Sequence, residues 1–314
     1  MAAVFALLCV VVVAHAGTPF RDDGDRESLL ASLELARTGL QEDSARCRLL
    51  DEAIGRLAAG GSVDSVFAQR ARSEPVDVLL TGYYEPVLPA RRERSPRFRY
   101  PLFRAPGNDA HRRASRRDID QGALSGAGLE LFWLDDPVES FFLHVQGSGR
   151  LDLGNGETAR VGYAANNGRS YHSIGKELVA RGEFFAKQAT APAIKKWLRE
   201  HRGRLFEILH TNPRYIFFRE VDAPPERGPV GAMGVALVPF RSVATDPEVT
   251  PMGSVGFLTA PMPDGSILRR VVVAMDQGAA IRGRTRIDLF AGAGAPAELI
   301  AGELRARAQV VWLV

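Results

Sequence analysis

The sequence predicts a mainly β protein with peripheral helices, and two observations support this fold class. Helical periodicity is concentrated in residues 24–73 and in a few shorter segments further along the chain. Most of the rest consists of short apolar runs separated by glycine and proline turns. The chain has 314 residues, of which 46% are hydrophobic and 25% charged, so it can bury an ordinary core. That length corresponds to about two domains.

The first sixteen residues have the features of an export signal. Val4 to Ala14 form an unbroken apolar stretch that is too short to span a bilayer. Ala14-His15-Ala16 fits a small-x-small cleavage site, so we expect residues 1–16 to be a signal peptide and the protein to be exported. Because Leu8, rather than a small residue, precedes Cys9, a lipid anchor at this cysteine is not expected.

Composition excludes several classes of function. The formal net charge of +3 is too small to indicate a polyanionic partner, so we expect no nucleic-acid binding through the arginine-rich segment Arg91–Arg117. After signal cleavage Cys47 is the one remaining cysteine of the chain, which rules out a disulfide framework. The histidines show no metal-ligand spacing. We therefore expect no metal and no cofactor.

The first elements in chain order are helices, followed by a strand. Apolar residues recur at roughly 3.6-residue spacing through residues 24–73 until Gly60-Gly61 interrupts the pattern. Val76 to Pro86 is then predicted to be a short strand that ends in a turn. Arg91–Arg117, rich in arginine and proline, is predicted to be a long surface connection or a hairpin.

The middle and C-terminal parts of the chain combine turns, helices and strands. Over Phe141–Gly149 we predict a strand that runs into a glycine turn, and we predict a hairpin tip at Asn155-Gly156. Ser173 is placed to cap a helix over Ile174–Arg181. The remaining predicted elements are a helix over Pro192–His210, an amphipathic helix over Pro296–Arg307 and a final strand over Gln309–Val314.

Two carboxylates near the C-terminus are the strongest candidates for chemistry. Asp276 ends the apolar run Val271–Met275, which predicts a strand buried on both faces. Asp288 lies in an alternating run in which Ile287 and Leu289 share the opposite face. The turn between the two runs would bring both acids together at the ends of adjacent strands. Burial or a second carboxylate nearby would raise the pKa of an aspartate, as an acid that works near neutral pH requires.

Asp246 is a third candidate, although spacing alone also allows all three acids to cap turns. Arg282, Arg284 and Arg286 would lower the pKa of a neighbouring carboxylate. We therefore expect these arginines to point away from the acid or to bind substrate.

Two further motifs suit the recognition of a sugar. Tyr83-Tyr84-Glu85 ends a predicted strand, and a tyrosine can stack its ring on a sugar and donate a hydrogen bond from its hydroxyl. The alternative is a pair of core tyrosines in a turn. The run Gln146-Gly-Ser148-Gly149 lacks the spacing of a nucleotide-binding loop, and a tight turn is its simpler interpretation.

Ordered sequence blocks over residues 78–314 resemble the membrane-bound lytic murein transglycosylase A family. The blocks are Leu80–Pro86, Ser115–Leu124, Trp133–Pro137, Phe141–Arg150, Val161–Gly168, Ser173–Lys176, Asn212–Phe218, Gly228–Gly231 and the three-aspartate region Asp246–Asp288. The resemblance implies a double-psi β-barrel that carries the three aspartates, with a second, smaller β-barrel domain inserted into it.

Applied to this chain, the resemblance implies a division into two domains. The catalytic barrel with its N-terminal helices would comprise residues 17–90 and 226–314, and the inserted domain residues 91–225. A glycan strand would bind in the groove between the two domains.

The resemblance also implies a reaction and the residues that perform it. The family's catalytic aspartate falls on Asp288, with Asp276 and Asp246 as supports. The implied reaction is non-hydrolytic cleavage of the β-1,4 bond between N-acetylmuramic acid and N-acetylglucosamine. Asp288 would act first as general acid and then as general base, leaving 1,6-anhydromuramic acid ends. The residues expected to bind the glycan are Tyr83, Tyr84, Glu85, Gln146, Ser148, Tyr163, Asn167 and Arg282.

One segment departs from the family pattern. Gln277-Gly-Ala-Ala-Ile-Arg282-Gly replaces the usual Thr-Gly-Gly-Ala-Ile-Lys-Gly, which leaves the contact at Arg282 open. The implied partner is the glycan strand of peptidoglycan, and the cell-wall synthesis machinery stays open as a protein partner. We expect a periplasmic monomer, with outer-membrane association left open. The alternative function is a non-catalytic peptidoglycan-binding barrel module.

Overall fold

The computed structural model describes residues 20–40, 44–68, 74–222 and 227–313. The predicted signal peptide at residues 1–16 lies outside these ranges. Within them, no helix combines the length and the apolar composition that crossing a membrane would need.

Strands dominate the described part of the chain. They are β1 (Val76–Glu85), β2 (Val87–Arg91), β3 (Tyr100–Phe103), β4 (Glu130–Leu134), β5 (Gly149–Gly154), β6 (Glu157–Asn166), β7 (Ile216–Glu220), β8 (Ser242–Thr245), β9 (Val255–Pro261), β10 (Ile267–Gln277), β11 (Arg286–Ala293) and β12 (Arg305–Trp312). The α-helices are α1 (Arg26–Gly39), α2 (Ala45–Ala58), α3 (Val63–Phe67), α4 (Asp109–Arg112), α5 (Arg116–Asp120), α6 (Pro137–Gln146), α7 (Ile174–Ala180), α8 (Ala191–Glu200), α9 (Leu205–Leu209) and α10 (Gly294–Glu303). The mainly β prediction is confirmed.

Six strands close into a barrel in the order β1-β11-β8-β10-β9-β12. β1 runs parallel to β11 and β10 runs parallel to β8, whereas the other neighbours are antiparallel. Successive strand residues point to opposite faces, so alternate side chains fill the interior. The interior cluster includes Leu80, Val243, Ala274, Ile287 and Leu289. This barrel confirms the closed β-barrel that the sequence resemblance implies.

The N-terminal helices α1, α2 and α3 cover the outer face of the barrel. Their apolar faces and the barrel's outer side chains form one buried cluster, in which each fully buried leucine contributes roughly 1.5–3 kcal/mol. Val271–Met275 in β10 is completely buried, because its two faces lie against the barrel interior and against these helices. The predicted strand buried on both faces is confirmed.

β10 and β11 are not neighbours in the barrel. β8 lies between them and pairs with β10 on one side and β11 on the other. The prediction that Asp276 and Asp288 end adjacent strands is therefore wrong. The interposed strand is only four residues long and comes from an earlier part of the chain, so the turn between the two acids gives no sign of it.

A second, six-stranded sheet has the order β3-β4-β2-β5-β6-β7. The chain leaves the barrel for this sheet at Pro86, between β1 and β2, and returns to the barrel with β8. Phe103 on β3 and Phe217 on β7 lie in one buried cluster with Tyr215. The two edge strands of this sheet, β3 and β7, are therefore in contact through their side chains.

One predicted strand is a helix. Residues Pro137–Gln146 form α6, so the prediction of a strand that begins at Phe141 and runs into the glycine turn is wrong for the strand. The side chain of Asp136 caps the start of α6, and Gly147, with a left-handed φ of 82°, ends it. The helix is buried over most of its surface, so its sequence is apolar on nearly every side. Such a continuous apolar run has the same pattern as a buried strand.

Two helix boundaries also differ from the predictions. The helix predicted over Pro192–His210 is interrupted, because His201 leaves the helical region and a 3-10 turn at Arg202–Arg204 separates α8 from α9. The last helix, α10, ends at Glu303, so β12 begins earlier in the chain than the predicted final strand.

Two local predictions are confirmed by backbone geometry. Ser173 caps α7, since its side chain accepts a hydrogen bond from the backbone N–H of Lys176. Asn155 and Gly156 have φ angles of 53° and 80°, as a two-residue hairpin turn between β5 and β6 requires.

Candidate active site

The register of the barrel brings two of the predicted acids onto one face. Asp288 on β11 pairs with Thr81 on β1 and with Ala244 on β8, and Ala244 pairs in turn with Asp276 on β10. Thr81 also pairs with Arg305 on β12. Because register partners on neighbouring strands share a face of the sheet, these residues form a row across five strands.

An irregularity in β10 aims Asp276 at this row. Ala274 pairs with Val243 and Asp276 pairs with Ala244, so Met275 is an extra residue in β10. Ala274 and Val243 both lie inside the barrel. Strict alternation would return Asp276 to the interior, and the bulge instead turns it to the outer face.

Asp288 is half-buried and is held by a threonine hydroxyl. Thr81 Oγ1 donates to Oδ1 of Asp288 at 2.7 Å, and Nη2 of Arg286 donates to Thr81 Oγ1 at 3.3 Å. Burial raises the pKa of Asp288 to about 6, against the lowering by Thr81 and Arg286 and with a smaller rise from Asp276. Asp288 can therefore hold a proton in mildly acidic solution. Arg286 does not point away from this acid, in contrast to one of the two arrangements expected from the sequence.

Asp276 accepts hydrogen bonds on both of its oxygens. The backbone N–H groups of Ala232 and Gln277 donate to Oδ1 at 2.8 and 2.9 Å, and the Tyr83 hydroxyl donates to Oδ2 at 3.0 Å. The Tyr83 ring packs on Phe290, with 5.4 Å between the ring centroids. Burial raises the pKa of Asp276 even though its hydrogen bonds lower it.

Asp246 holds the loop that connects β10 to β11. It is buried, and its Oδ2 accepts a hydrogen bond from the backbone N–H of Gly283 at 2.8 Å, while Nη1 of Arg282 lies 3.7 Å from Oδ1. The Gly283 N–H is the main cause that lowers the pKa of Asp246. This geometry fits the interpretation of a carboxylate that caps a turn.

Tyr84 and Gln146 lie at the junction of the barrel and the second sheet. The backbone N–H of Tyr84 donates to Oε1 of Gln146 at 3.2 Å, and its buried hydroxyl accepts a hydrogen bond from Nζ of Lys195 at 3.3 Å. The same ammonium lies 2.5 Å from Glu139 on α6 and 2.5 Å from Glu298 on α10. Tyr84 is thus part of the contact between the two units and has little free surface for a ligand.

Glu85 is completely buried between two arginines of the second sheet. Its carboxylate lies 2.7 Å from Nε of Arg150 and 3.0 Å from Nε of Arg160. Both arginines also donate to the carbonyl of Arg227, on the segment that returns to the barrel. Glu85 therefore joins the outgoing and returning connections, and its carboxylate is not accessible to a glycan.

The other predicted binding residues differ in accessibility. Asn167 is buried, and its amide bonds to the carbonyls of Ala114 and Pro213 and to the N–H of Tyr215. Tyr163 is 49% exposed, and Ser148 and Arg282 also retain exposed surface. These three residues are free to contact a ligand.

The sequence prediction did not include two residues that shape the acid pair, Thr81 and Ala244, and it expected Arg286 to point away from the acid or to bind substrate. Thr81 donates a hydrogen bond to Asp288, and Arg286 donates one to Thr81. Ala244 is buried and lies on the strand between the two acids, as the register partner of both. The strand pattern did place Thr81 two residues before Tyr83, on the same face. Nothing in the sequence alone indicates Ala244, because its importance arises from its two register partners.

The geometry supplies two acids on the outer face of the barrel, each with a pKa raised by burial and each hydrogen-bonded to a neighbouring hydroxyl group. Within the described ranges, no group of three or more histidine, cysteine or acidic residues is arranged to hold a metal ion. Such a pair can move a proton at one position and stabilise positive charge at another.

Two family models match the chain. The model of the MltA specific insert domain matches residues 79–219, and the model of the 3D domain matches residues 241–314. The first match begins within β1 and ends within β7, and the second covers β8 to β12 with all three aspartates.

Relatives in sequence and in structure agree with these matches. The membrane-bound lytic murein transglycosylase A of Vibrio cholerae serotype O1 is 34% identical over 237 residues, which are 73% of this chain and 63% of that protein. The aligned part thus spans less than two thirds of that curated relative. The crystal structure of a membrane-bound lytic murein transglycosylase from Agrobacterium tumefaciens superposes with a TM-score of 0.77 at 30% identity, over 92% of this chain and 93% of that one.

A ligand-bound structure is also similar. The crystal structure of Escherichia coli MltA with bound chitohexaose superposes with a TM-score of 0.79 at 29% identity. The superposition covers 92% of this chain and 89% of that one.

Proposed function

Because the chain belongs to the membrane-bound lytic murein transglycosylase A family, we propose that it cleaves peptidoglycan glycan strands without water. The bond is the β-1,4 link between N-acetylmuramic acid and N-acetylglucosamine, and the product carries a 1,6-anhydromuramic acid end. The observation that supports this most is the environment of Asp288, a half-buried side chain on the outer face of the barrel whose pKa burial raises to about 6.

Asp288 serves as the general acid in the first half of the reaction. Its carboxyl proton passes to the glycosidic oxygen as the bond from that oxygen to C1 of the muramic residue breaks. A positioned acid contributes roughly 10²–10⁴ in rate. Burial helps because it keeps the proton on the carboxyl group until the leaving oxygen needs it.

The same side chain serves as the base in the second half. The Asp288 carboxylate accepts the proton of the muramic C6 hydroxyl while O6 bonds to C1, which restores the acid and closes the anhydro ring. The nucleophile belongs to the substrate, so no second carboxylate is needed to activate water. Asp276 stays hydrogen-bonded by Tyr83 and stabilises the positive charge that develops at C1.

The remaining predicted contacts are assigned by accessibility. Tyr163, Ser148 and Arg282 retain exposed surface and are proposed to contact the glycan. Tyr84, Glu85, Gln146 and Asn167 are proposed to support the binding groove, since their polar groups already bond to protein. We further propose an exported, periplasmic monomer that acts at the outer membrane.

Digestion of purified murein sacculi, followed by mass spectrometry of the muropeptides, tests this function. We expect anhydro ends, each lighter by one water than a reducing end. We also expect Asp288→Asn to release nothing while still sedimenting with sacculi. Reducing ends would overturn the proposal, as would full activity of Asp288→Asn. Sedimentation without any release by the unaltered protein would favour the alternative of a non-catalytic binding module.

A further inference from the structure

A hydroxyl group connects Arg286 to Asp288. Thr81 Oγ1 lies 2.7 Å from Oδ1 of Asp288 and 3.3 Å from Nη2 of Arg286. The three residues lie on the paired strands β1 and β11, where Thr81 is the register partner of Asp288. The proton transfers proposed above do not use Thr81 or Arg286.

The chemistry of the groups fixes the direction of both hydrogen bonds. An arginine side chain can only donate, whereas a hydroxyl has one proton and two lone pairs. Arg286 therefore occupies a lone pair of Thr81 Oγ1, and the hydroxyl proton turns to the acceptor on the other side, Oδ1 of Asp288. A carboxyl oxygen that accepts this bond is not the oxygen that carries the acid proton.

We propose that Arg286 is a positioning residue that acts through Thr81 and assigns the acid chemistry to one oxygen of Asp288. Oδ1 is held as an acceptor, and Oδ2 gives the proton to the glycosidic oxygen and later takes one from the C6 hydroxyl. This inference rests on the proposed function. The carboxyl group is thereby presented to the substrate in one orientation, as proton transfer over hydrogen-bond distance requires.

The surroundings of Arg286 support this role. Within the described part of the chain, no carboxylate lies within 4.0 Å of its guanidinium, whereas many other arginines of the protein form such pairs. Its Nε is buried and lacks a hydrogen-bond partner among the described residues. Arg286 therefore keeps a partly buried charge next to an acid without neutralising it, which a merely structural arginine would not require.

Other charged groups also face Asp288 and must be kept constant in a test. Asp276 approaches from β10, and the Tyr83 hydroxyl on β1 bonds to that acid. Arg305 on β12 is the register partner of Thr81. Ala244 on β8 carries no charge. Variants should therefore alter Thr81 or Arg286 alone.

The first test compares pH profiles of kcat/KM on sacculi. Thr81→Val removes the hydroxyl at nearly constant shape, and Arg286→Met removes the donor. We expect each to lower kcat/KM by about tenfold and to move the alkaline limb to higher pH, because Thr81 and Arg286 both lower the pKa of Asp288. Thr81→Ser keeps the hydroxyl and Arg286→Lys keeps the charge. The kcat/KM values and alkaline limbs of these two variants should therefore be closer to those of the unaltered protein. Arg284→Met is the matched control, since Arg284 is exposed and its removal changes net charge equally.

A second readout does not depend on activity. The ¹³C signal of the Asp288 carboxyl group, assigned by its absence in Asp288→Asn, should titrate at a higher pH in both Thr81→Val and Arg286→Met. If Arg286→Met titrated like Arg284→Met, or Thr81→Val like Thr81→Ser, the inference would be overturned. A protein that released no muropeptide would refute the proposed function, while this titration would still decide whether Arg286 and Thr81 control Asp288.

Discussion

Asp288 and Asp276 share one register partner, Ala244, which lies on the strand between theirs. Two strand spacings, about 10 Å, therefore separate the backbones that carry the two acids. Each acid has its own hydrogen-bond partners, Thr81 for Asp288 and Tyr83 for Asp276. The environment of each carboxyl group is thus set by different neighbours. Burial, rather than repulsion between the two acids, is the main cause that raises the pKa of each.

The rate of glycan cleavage should depend on the protonation of Asp288. Because the general acid must carry a proton, kcat/KM should fall as pH rises through about 6, the pKa to which burial raises this group. Initial rates of muropeptide release across the acidic and neutral range would measure this limb. Sedimentation with sacculi over the same range controls for loss of binding, and a rate that stayed constant through that limb would contradict the assignment.

The raised pKa of Asp288 also has a cost in stability. An acid whose pKa is higher in the folded than in the unfolded state stabilises the fold only while it is protonated, so this contribution is lost as pH rises through about 6. Asp288→Asn is uncharged at every pH. It should therefore be more stable than the unaltered protein above that pH, by about 1–2 kcal/mol once solvent screening is included.

Urea unfolding of Asp288→Asn at two pH values would test this. The gain in stability should be present at neutral pH and should shrink below the ordinary aspartate pKa of about 4, where both states of the unaltered protein are protonated. An equal difference at both pH values would show that the carboxyl group does not titrate as proposed.

The Tyr83 hydroxyl should control Asp276 in a similar way. Tyr83→Phe keeps the ring on Phe290 but removes the hydrogen bond to Oδ2, and that bond lowers the pKa of Asp276. We expect the pKa of Asp276 to rise further and kcat/KM to fall by about tenfold, as loss of one hydrogen bond to a charged group predicts. Tyr100→Phe in the second sheet is the control, because its hydroxyl bonds to Arg99. Equal activity of the two variants would argue against a supporting role for Asp276.

Asp246 should behave differently from the other two acids. The Gly283 N–H and Arg282 lower its pKa, so it is ionised wherever Asp288 titrates and cannot deliver a proton there. Asp246→Asn should reduce activity by loosening the loop between β10 and β11, without moving the alkaline limb of the pH profile. A shifted limb would instead assign Asp246 a part in proton transfer.

The sequence predicts the strands of the acid pair better than their arrangement. The apolar run Val271–Met275 and the alternation around Asp288 follow from local periodicity, and both are confirmed. The insertion of β8 and the bulge at Met275 do not follow from local periodicity, because both depend on which distant strand pairs with β10. The same limit explains α6, whose apolar run fits a buried strand as well as a helix buried over most of its surface.

The ion cluster around Glu85 should contribute mainly to stability. Glu85→Gln keeps the size of the side chain but removes the carboxylate charge that lies 3.0 Å from Nε of Arg160, of which 6% is exposed. Loss of one partner from a buried pair typically costs about 3–5 kcal/mol, and the carbonyl of Arg227 still accepts from Arg160, so we expect the lower end of that range. Glu220→Gln is the matched control, because its pair with Arg92 is exposed and should contribute at most about 1 kcal/mol. Chemical unfolding followed by fluorescence would measure both variants, and the alkaline limb of activity should be the same in each. Similar stabilities of the two variants would show that Glu85 does not hold the two connections between barrel and sheet.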